Sequence, residues 1–147
     1  HMSDQVLVKF ADADDLEACF ALRRAVCMVE QGSSEADEFD GQDHDADKAH
    51  LIAHSGDRPL GTARLWFKPG LLKIQRVCVS SEARGLRVGV ALMEKAIEVA
   101  AAADGITHAA LDSQTYAFGF YERLGFVAEG PEFDDAGIAH RYMSRRV

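Results

Sequence analysis

Arg84-Gly85-Leu86-Arg87-Val88-Gly89 interleaves arginine and glycine directly before a stretch where Val88, Leu92, Ala96, Val99 and Ala103 recur at helical spacing. A helix start leaves its first backbone N–H groups without acceptors in the helix and carries partial positive charge. Glycine lets a phosphate approach the main chain, and arginine adds charge at the same point. The chemistry implied is a grip on a phosphorylated ligand. A P-loop would need Gly-Lys-Ser/Thr at the helix start, and a dinucleotide fingerprint would place its glycines immediately after a strand. Here Ser80-Ser81-Glu82-Ala83 and Arg84 intervene. A second candidate is Tyr121, either a proton-donating phenol or a packed core tyrosine with its hydroxyl satisfied. A third is the acidic run Glu35, Asp37, Glu38, Asp40, Asp43, Asp45 and Asp47, opposed only by Lys48. It reads as a solvated loop, as a lip that attracts a cationic amine, or as a metal site completed by His44 and His50.

The elements that must position these groups follow from periodicity. Leu71–Val79 alternates between faces and is rich in branched residues, which predicts a strand feeding the arginine–glycine loop and a helix to Ala103. Upstream, Val6–Phe10 predicts a short strand. Asp14 or Asp15 would cap a helix carrying Leu16, Cys19, Phe20 and Arg23, with Gly32 as its stop. His50–His54 and Pro59–Phe67 predict a hairpin across Ser55-Gly56-Asp57-Arg58 that leads into the central strand. Trp66 and Phe67 read as pocket lining or as core. Downstream come a strand over His108–Asp112, a short helix over Ala117–Leu124, and strands over Phe126–Glu129 and Ala139–Arg145. Helices alternating with a mixed sheet predict an α/β fold, one three-layer αβα domain over residues 3–147 with six to seven strands and about four helices.

The chain's 147 residues suffice for one domain with a real core, and 48% hydrophobic content excludes disorder. A net charge of −8 repels nucleic acid and anionic membranes, so a phosphate site must rest on local charge. Neither a nucleic-acid nor a membrane partner is expected. No apolar run reaches spanning length. Cys19, Cys27 and Cys78 form no CxxC pair and read as reduced, buried thiols of a cytoplasmic protein. His1-Met2 reads as the remnant of a cleaved tag.

Taken together, these blocks resemble the GCN5-related N-acetyltransferase (GNAT) family. Its acetyl-CoA motif, Gln/Arg-x-x-Gly-x-Gly/Ala after a strand ending Val-x-Val, is similar to Arg84–Gly89 after Val77-Cys78-Val79, with Arg87 standing where the motif has its first glycine. Phe120-Tyr121-Glu122-Arg123-Leu124-Gly125-Phe126 resembles the family's late Phe-Tyr-x-x-x-Gly-Phe signature. Leu22-Arg23-Arg24, Val29-Glu30-Gln31-Gly32, Phe39-Asp40-Gly41, His50-Leu51 and Glu132–His140 look like the small bacterial branch typified by ElaA and YjcF proteins. The resemblance implies a splayed central sheet and acetyl transfer from acetyl-CoA to an amine of a small molecule or peptide, by direct attack in a ternary complex. It implies pantetheine pairing along the backbone of Val77 and Val79, and pyrophosphate held at Arg84, Gly85, Leu86, Arg87, Val88, Gly89 and Val90. Tyr121 becomes the expected general acid and no metal is needed.

Gln75 stands where many members carry Glu, and an amide is no base. Glu30, Asp40, Asp112 and His140 stay open as base or acceptor residues, as does a reaction without a dedicated base. The resemblance favours the lip for the acidic run. If position 87 needs positive φ, Arg87 costs about 1 kcal/mol or more. A non-catalytic acyl-CoA-binding or sensing module is the alternative, and an ATP-binding protein fares worst. The last strand and the Glu132–His140 segment leave a homodimer open.

Overall fold

A computed structural model describes residues 5–30, 34–83, 85 and 87–147, the side chains of Val29 and Glu30 excepted. The strands are β1 (Leu7–Phe10), β2 (Lys48–Ser55), β3 (Arg58–Lys68), β4 (Leu71–Val79), β5 (His108–Gln114), β6 (Val127–Asp135) and β7 (Ile138–Arg146). They form one sheet in the order β1-β2-β3-β4-β5-β7-β6, antiparallel throughout except between β4 and β5. The helices are α1 (Ala13–Arg23), continued by a π-helical stretch Arg24–Glu30, then α2 (Glu35–Glu38), α3 (Val88–Ala102) and α4 (Phe118–Arg123). This is the mixed α/β sandwich that the alternation of elements predicts.

Strand alternation decides which residues meet which layer. Leu51, Ala53, Ala63 and Leu65 turn to the face covered by α3, whose Leu92, Met93, Ala96 and Ala100 are fully buried against them. Gly61 lets that helix close on β3. A Cβ there would sit 2.9 Å from Val88 Cγ1, 3.0 Å from Leu92 Cδ1 and 3.0 Å from the Cys78 carbonyl. His50, Thr62 and Arg64 point to the opposite face, under α1 and the acidic segment; the His50 ring meets Phe20 of α1 edge-on.

Three expectations change. Asp12, not Asp14 or Asp15, caps α1: its carboxylate accepts from the Asp15 N–H and the Asp15 carboxylate accepts from the Asp12 N–H, a closed capping box. The predicted stop at Gly32 lies outside the described residues. β6 runs on past Glu129 to Asp135, its register shifting between Glu129 and Phe133 around Pro131. As an edge strand it tolerates a proline that cannot donate to a ladder.

The third change concerns cysteine. Cys19 is a free, buried thiol, but Cys27 and Cys78 are joined in a disulfide across 51 residues, their Cα atoms 6.5 Å apart. The π-helical stretch carries Cys27 onto the face of β4 where Cys78 points, a meeting no spacing in the sequence announces. Closing a loop of that length is worth about 4 kcal/mol in the chain-entropy account. Reduction is expected to lower the denaturation free energy by about 2–4 kcal/mol and to raise the titratable thiols in the unfolded chain from one to three. Three reactive thiols without reductant would contradict the pairing.

Candidate active site

β4 is where the site opens. It pairs with β5 only through Leu71–His108, Leu72–Ala109 and Lys73–Ala110. On its other edge, Thr62 faces Cys78 but Arg64 faces Gln75, so Ala63 stands opposite both Arg76 and Val77. That extra residue is a β-bulge, and Arg76 absorbs it at a φ of 52°. The bulge reverses the strand's facing. Before it, Leu72 and Ile74 enter the α3 core while Gln75 turns to the other face; after it, Cys78 is buried against Val26 and Cys27 on the α1 side while Val77 and Val79 pack toward α3. The bend steers β4 away from β5 and leaves an open cleft of about 610 Å³ between them. Gln75, Val77, Asp40, Asp112, Tyr121 and His140 all line it, joined by Asp37, Tyr116 and Asp135.

At one end of the cleft α3 begins. Arg87 is its N-cap residue in the left-handed region, φ 60° and ψ 32°, and its side chain makes no capping bond. The motif position therefore does need positive φ, and Arg87 bears the cost foreseen for it. Gly85, at φ 97°, makes the turn before it. Gly89 lies against the Phe120 ring, where a Cβ would be 3.4 Å from the ring edge. Val88 is buried in the core and Val90 is half-buried. Arg84 and Leu86 lie outside the described residues.

Glu38 and Asp43 of the acidic segment are turned inward, and Asp40 is tied down beside them. Arg23 Nε donates to Glu38 Oε2 at 2.8 Å and its Nη1 to Asp43 Oδ1 at 2.7 Å. Arg64 grips Asp40 with both terminal nitrogens, at 2.9 and 2.8 Å, and reaches Asp43 at 3.0 Å and Gln75 Oε1 at 3.2 Å. Arg76 donates to the main-chain carbonyls of Glu38 and Asp37 and to Asp40. Arg23 and Arg64 are each 1% exposed. The Arg64 guanidinium holds the Asp40 carboxyl far below the usual carboxylate range, outweighing partial burial. Burial alone would raise Asp43, yet its bonds to Arg23 and Arg64 leave it lowered as well. Asp40 is therefore tied down rather than free to take a proton, and the lip reading fails for the buried Glu38 and Asp43; Asp37 and Asp40 are the residues of that run left exposed at the cleft.

Gln75 is likewise committed, its amide oxygen tied to Arg64, and Asp112 is ion-paired with Lys73 at 3.0 Å. The side chain of Glu30 is outside the described part. Trp66 and Phe67 do not line the cleft; Trp66 donates to Asp47 and is flanked by Lys48 and Lys68. Cys27, Glu38 and Cys78 bring three ligand-type atoms within 4.8 Å, but the sulfurs are bonded to each other and Glu38 to Arg23.

Tyr121 approaches from α4, its ring edge-on to Phe120 and Phe126. Burial, then Tyr116, pushes its phenol up to about 12, so it holds its proton at any working pH. Sequence reasoning missed Arg23, Arg64 and Arg76 as organisers. A signal existed: Arg64 interrupts the apolar run Leu60–Leu65 and Arg23 sits between Leu22 and Val26, places where a charge survives only with a partner.

Comparison with known proteins bears directly on this geometry. The family model described as "Acetyltransferase (GNAT) domain" matches residues 25–147. The uncharacterized N-acetyltransferase YjcF of Bacillus subtilis (strain 168) is 35% identical over 133 residues, spanning 90% of this chain and 93% of the relative. Among solved structures, an acyl-CoA N-acyltransferase from Pseudomonas aeruginosa superposes with a TM-score of 0.82 at 32% identity, covering 96% of this chain and 98% of its own. Escherichia coli ElaA superposes with a TM-score of 0.84 at 28% identity, covering 96% and 99%.

Proposed function

The chain belongs to the GNAT acetyltransferase family, and from that premise we propose that it transfers the acetyl group of acetyl-CoA to a primary amine of a small molecule or peptide, by direct attack in a ternary complex. The observation that carries the reading is the divergence of β4 from β5 beside the start of α3. In this reading the amides of the pantetheine arm lie along the backbone of β4 at Val77 and Val79, as an added strand would. The first turn of α3, from Val88 through Val90, with Gly85 and Arg87 and with Arg84 and Leu86 preceding it, receives the pyrophosphate. Gly89 brings the helix start close to Phe120, the neighbour of Tyr121 on α4, and Val77 and Tyr121 both line the cleft into which the thioester arm would run.

The two faces of the sheet then divide the labour. Tyr121 meets the departing sulfur from the α4 side, and the amine arrives from the side of Gln75, Asp112 and His140. A phenol near 12 is a weaker acid than a thiol near ~8.5. Tyr121 therefore acts first as a hydrogen-bond donor to the developing thiolate, and gives up its proton only if binding lowers that gap. The competing reading, an acyl-CoA-binding module without transfer, draws on Gln75, which lies where a base would serve and is held by Arg64.

A thermal-shift measurement with CoA, acetyl-CoA and ATP tests the proposal, followed by thioester consumption over a panel of primary amines. CoA and acetyl-CoA at ~100 times their dissociation constants should add roughly 2.7 kcal/mol, with ATP inert. Consumption at background despite tight binding would favour the binding module, and no stabilisation by CoA would remove the cleft from CoA chemistry. Arg87→Gly is expected to raise the denaturation free energy by up to ~1 kcal/mol by relieving the left-handed backbone, while raising the CoA dissociation constant several-fold through lost charge. Unchanged CoA affinity would place the Arg87 side chain outside the phosphate grip.

A further inference from the structure

The geometry points to His140 as the general base that takes the ammonium proton of the acceptor, an assignment that rests on the transferase reading above. The alternation along β5 and β7 sets the face. Leu111 and Met143 belong to the core under α3 and α4, so Asp112, Gln114, His140 and Tyr142 point the other way. That is the face from which the amine must come, because Tyr121 occupies the opposite one. His140 pairs across the ladder with Gln114, at the end of β5 that has diverged from β4.

Four carboxylates described on that side, the buried Glu38 and Asp43 and the more exposed Asp40 and Asp112, are already bound to a cation. Glu38 and Asp43 are held by Arg23, Asp40 by Arg64 and Arg76, and Asp112 by Lys73. A proton delivered to any of them would have to break an ion pair. Asp37 and Asp135 are exposed at the mouth, suited to drawing a cation in and open to water. His140 is different. It is 9% exposed, stacked on Phe133 with ring centroids 5.9 Å apart, and its Nδ1 lies 2.8 Å from the Ile138 carbonyl oxygen. A carbonyl only accepts, so Nδ1 carries the hydrogen and Nε2 is left with its lone pair. The ring is thus fixed in one tautomer and one orientation, as a positioned base requires.

The proton balance closes. One proton of the ammonium passes to His140 Nε2, which frees the nitrogen lone pair. The N–C bond forms as the C–S bond breaks, and the second nitrogen proton ends on sulfur. His140 returns its proton to water between turnovers.

The test compares His140→Asn, which keeps a donor for the Ile138 carbonyl but has no basic nitrogen, with the unaltered protein at saturating acetyl-CoA. Two nucleophiles serve as probes: 2-phenylethylamine, protonated at pH 7.5, and hydroxylamine, neutral there. The variant is expected to lose ~10²-fold or more with the alkylamine and under ~10-fold with hydroxylamine. Imidazole should restore part of the alkylamine rate in His140→Ala, and Glu30→Gln should show no greater loss with the alkylamine than with hydroxylamine. Equal losses with both nucleophiles, no loss, or a base-type loss in Glu30→Gln instead would overturn the assignment. Ring ¹⁵N shifts of His140, read without any turnover, should show the Nδ1–H tautomer, and an Nε2–H tautomer would also overturn it. The unaltered protein's own rate with either probe tests the transferase reading separately, because the assignment is judged only on the ratio between variant and parent and on the tautomer.

Discussion

Replacing Tyr121 with phenylalanine is expected to cut turnover by about 10²–10⁴-fold while changing acetyl-CoA affinity by less than about threefold. The ring stays, and with it the edge-on contacts to Phe120 and Phe126, so the cleft keeps its shape. Only the hydroxyl goes. It makes no hydrogen bond to another described residue and borders the cleft, so its removal strands no buried partner and should cost the fold little. What it removes is the donor that meets negative charge growing on sulfur, an interaction made in the transition state rather than in the resting complex. Steady-state rates alongside calorimetric acetyl-CoA binding would read the two effects separately. A rate within threefold of the parent would take Tyr121 out of the chemistry and return it to the core.

The largest effect on stability is expected from Arg64→Leu. This guanidinium is 1% exposed and serves Asp40, Asp43 and Gln75 together. Without it Asp40 is left with Arg76 and Asp43 with Arg23 as their remaining cations, and breaking one side of a buried pair typically costs about 3–5 kcal/mol. For a chain of this size that corresponds to a fall in Tm on the order of 10 °C. The pH dependence should change with it. Because Asp40 and Asp43 are lowered in the fold, the stability they contribute is present above the unfolded carboxylate value of ~3.9 and is lost as pH falls below it. The parent should therefore weaken steeply on acidification from about pH 4, and Arg64→Leu much less so. Urea titrations at neutral and acidic pH measure both terms. A loss under 1 kcal/mol at neutral pH would mean that water already screens the network.

Much of the fold was legible because it rests on local physics. The alternation of Leu71–Val79, the helical spacing after Val88 and the placement of glycine and proline between them identify strand, helix and turn within a few residues. The Arg84–Gly89 and Phe120–Phe126 blocks carry the family, and the left-handed backbone of Arg87 was foreseeable from the glycine it replaces. Tertiary structure alone decided three things. The acidic run looked like a surface because sequence shows charges without their partners; Arg23, Arg64 and Arg76, distant in the chain, bury Glu38 and Asp43 and tie down Asp40, while Glu35, Asp45 and Asp47 do stay on the surface. Cys27 and Cys78 looked like separate thiols because a pairing across 51 residues depends on where a helix end lands. The roles of the candidate bases were undecidable for the same reason: whether Asp40, Asp112 or His140 can take a proton depends on what already holds it, and a hydrogen-bond partner is a fact of three dimensions.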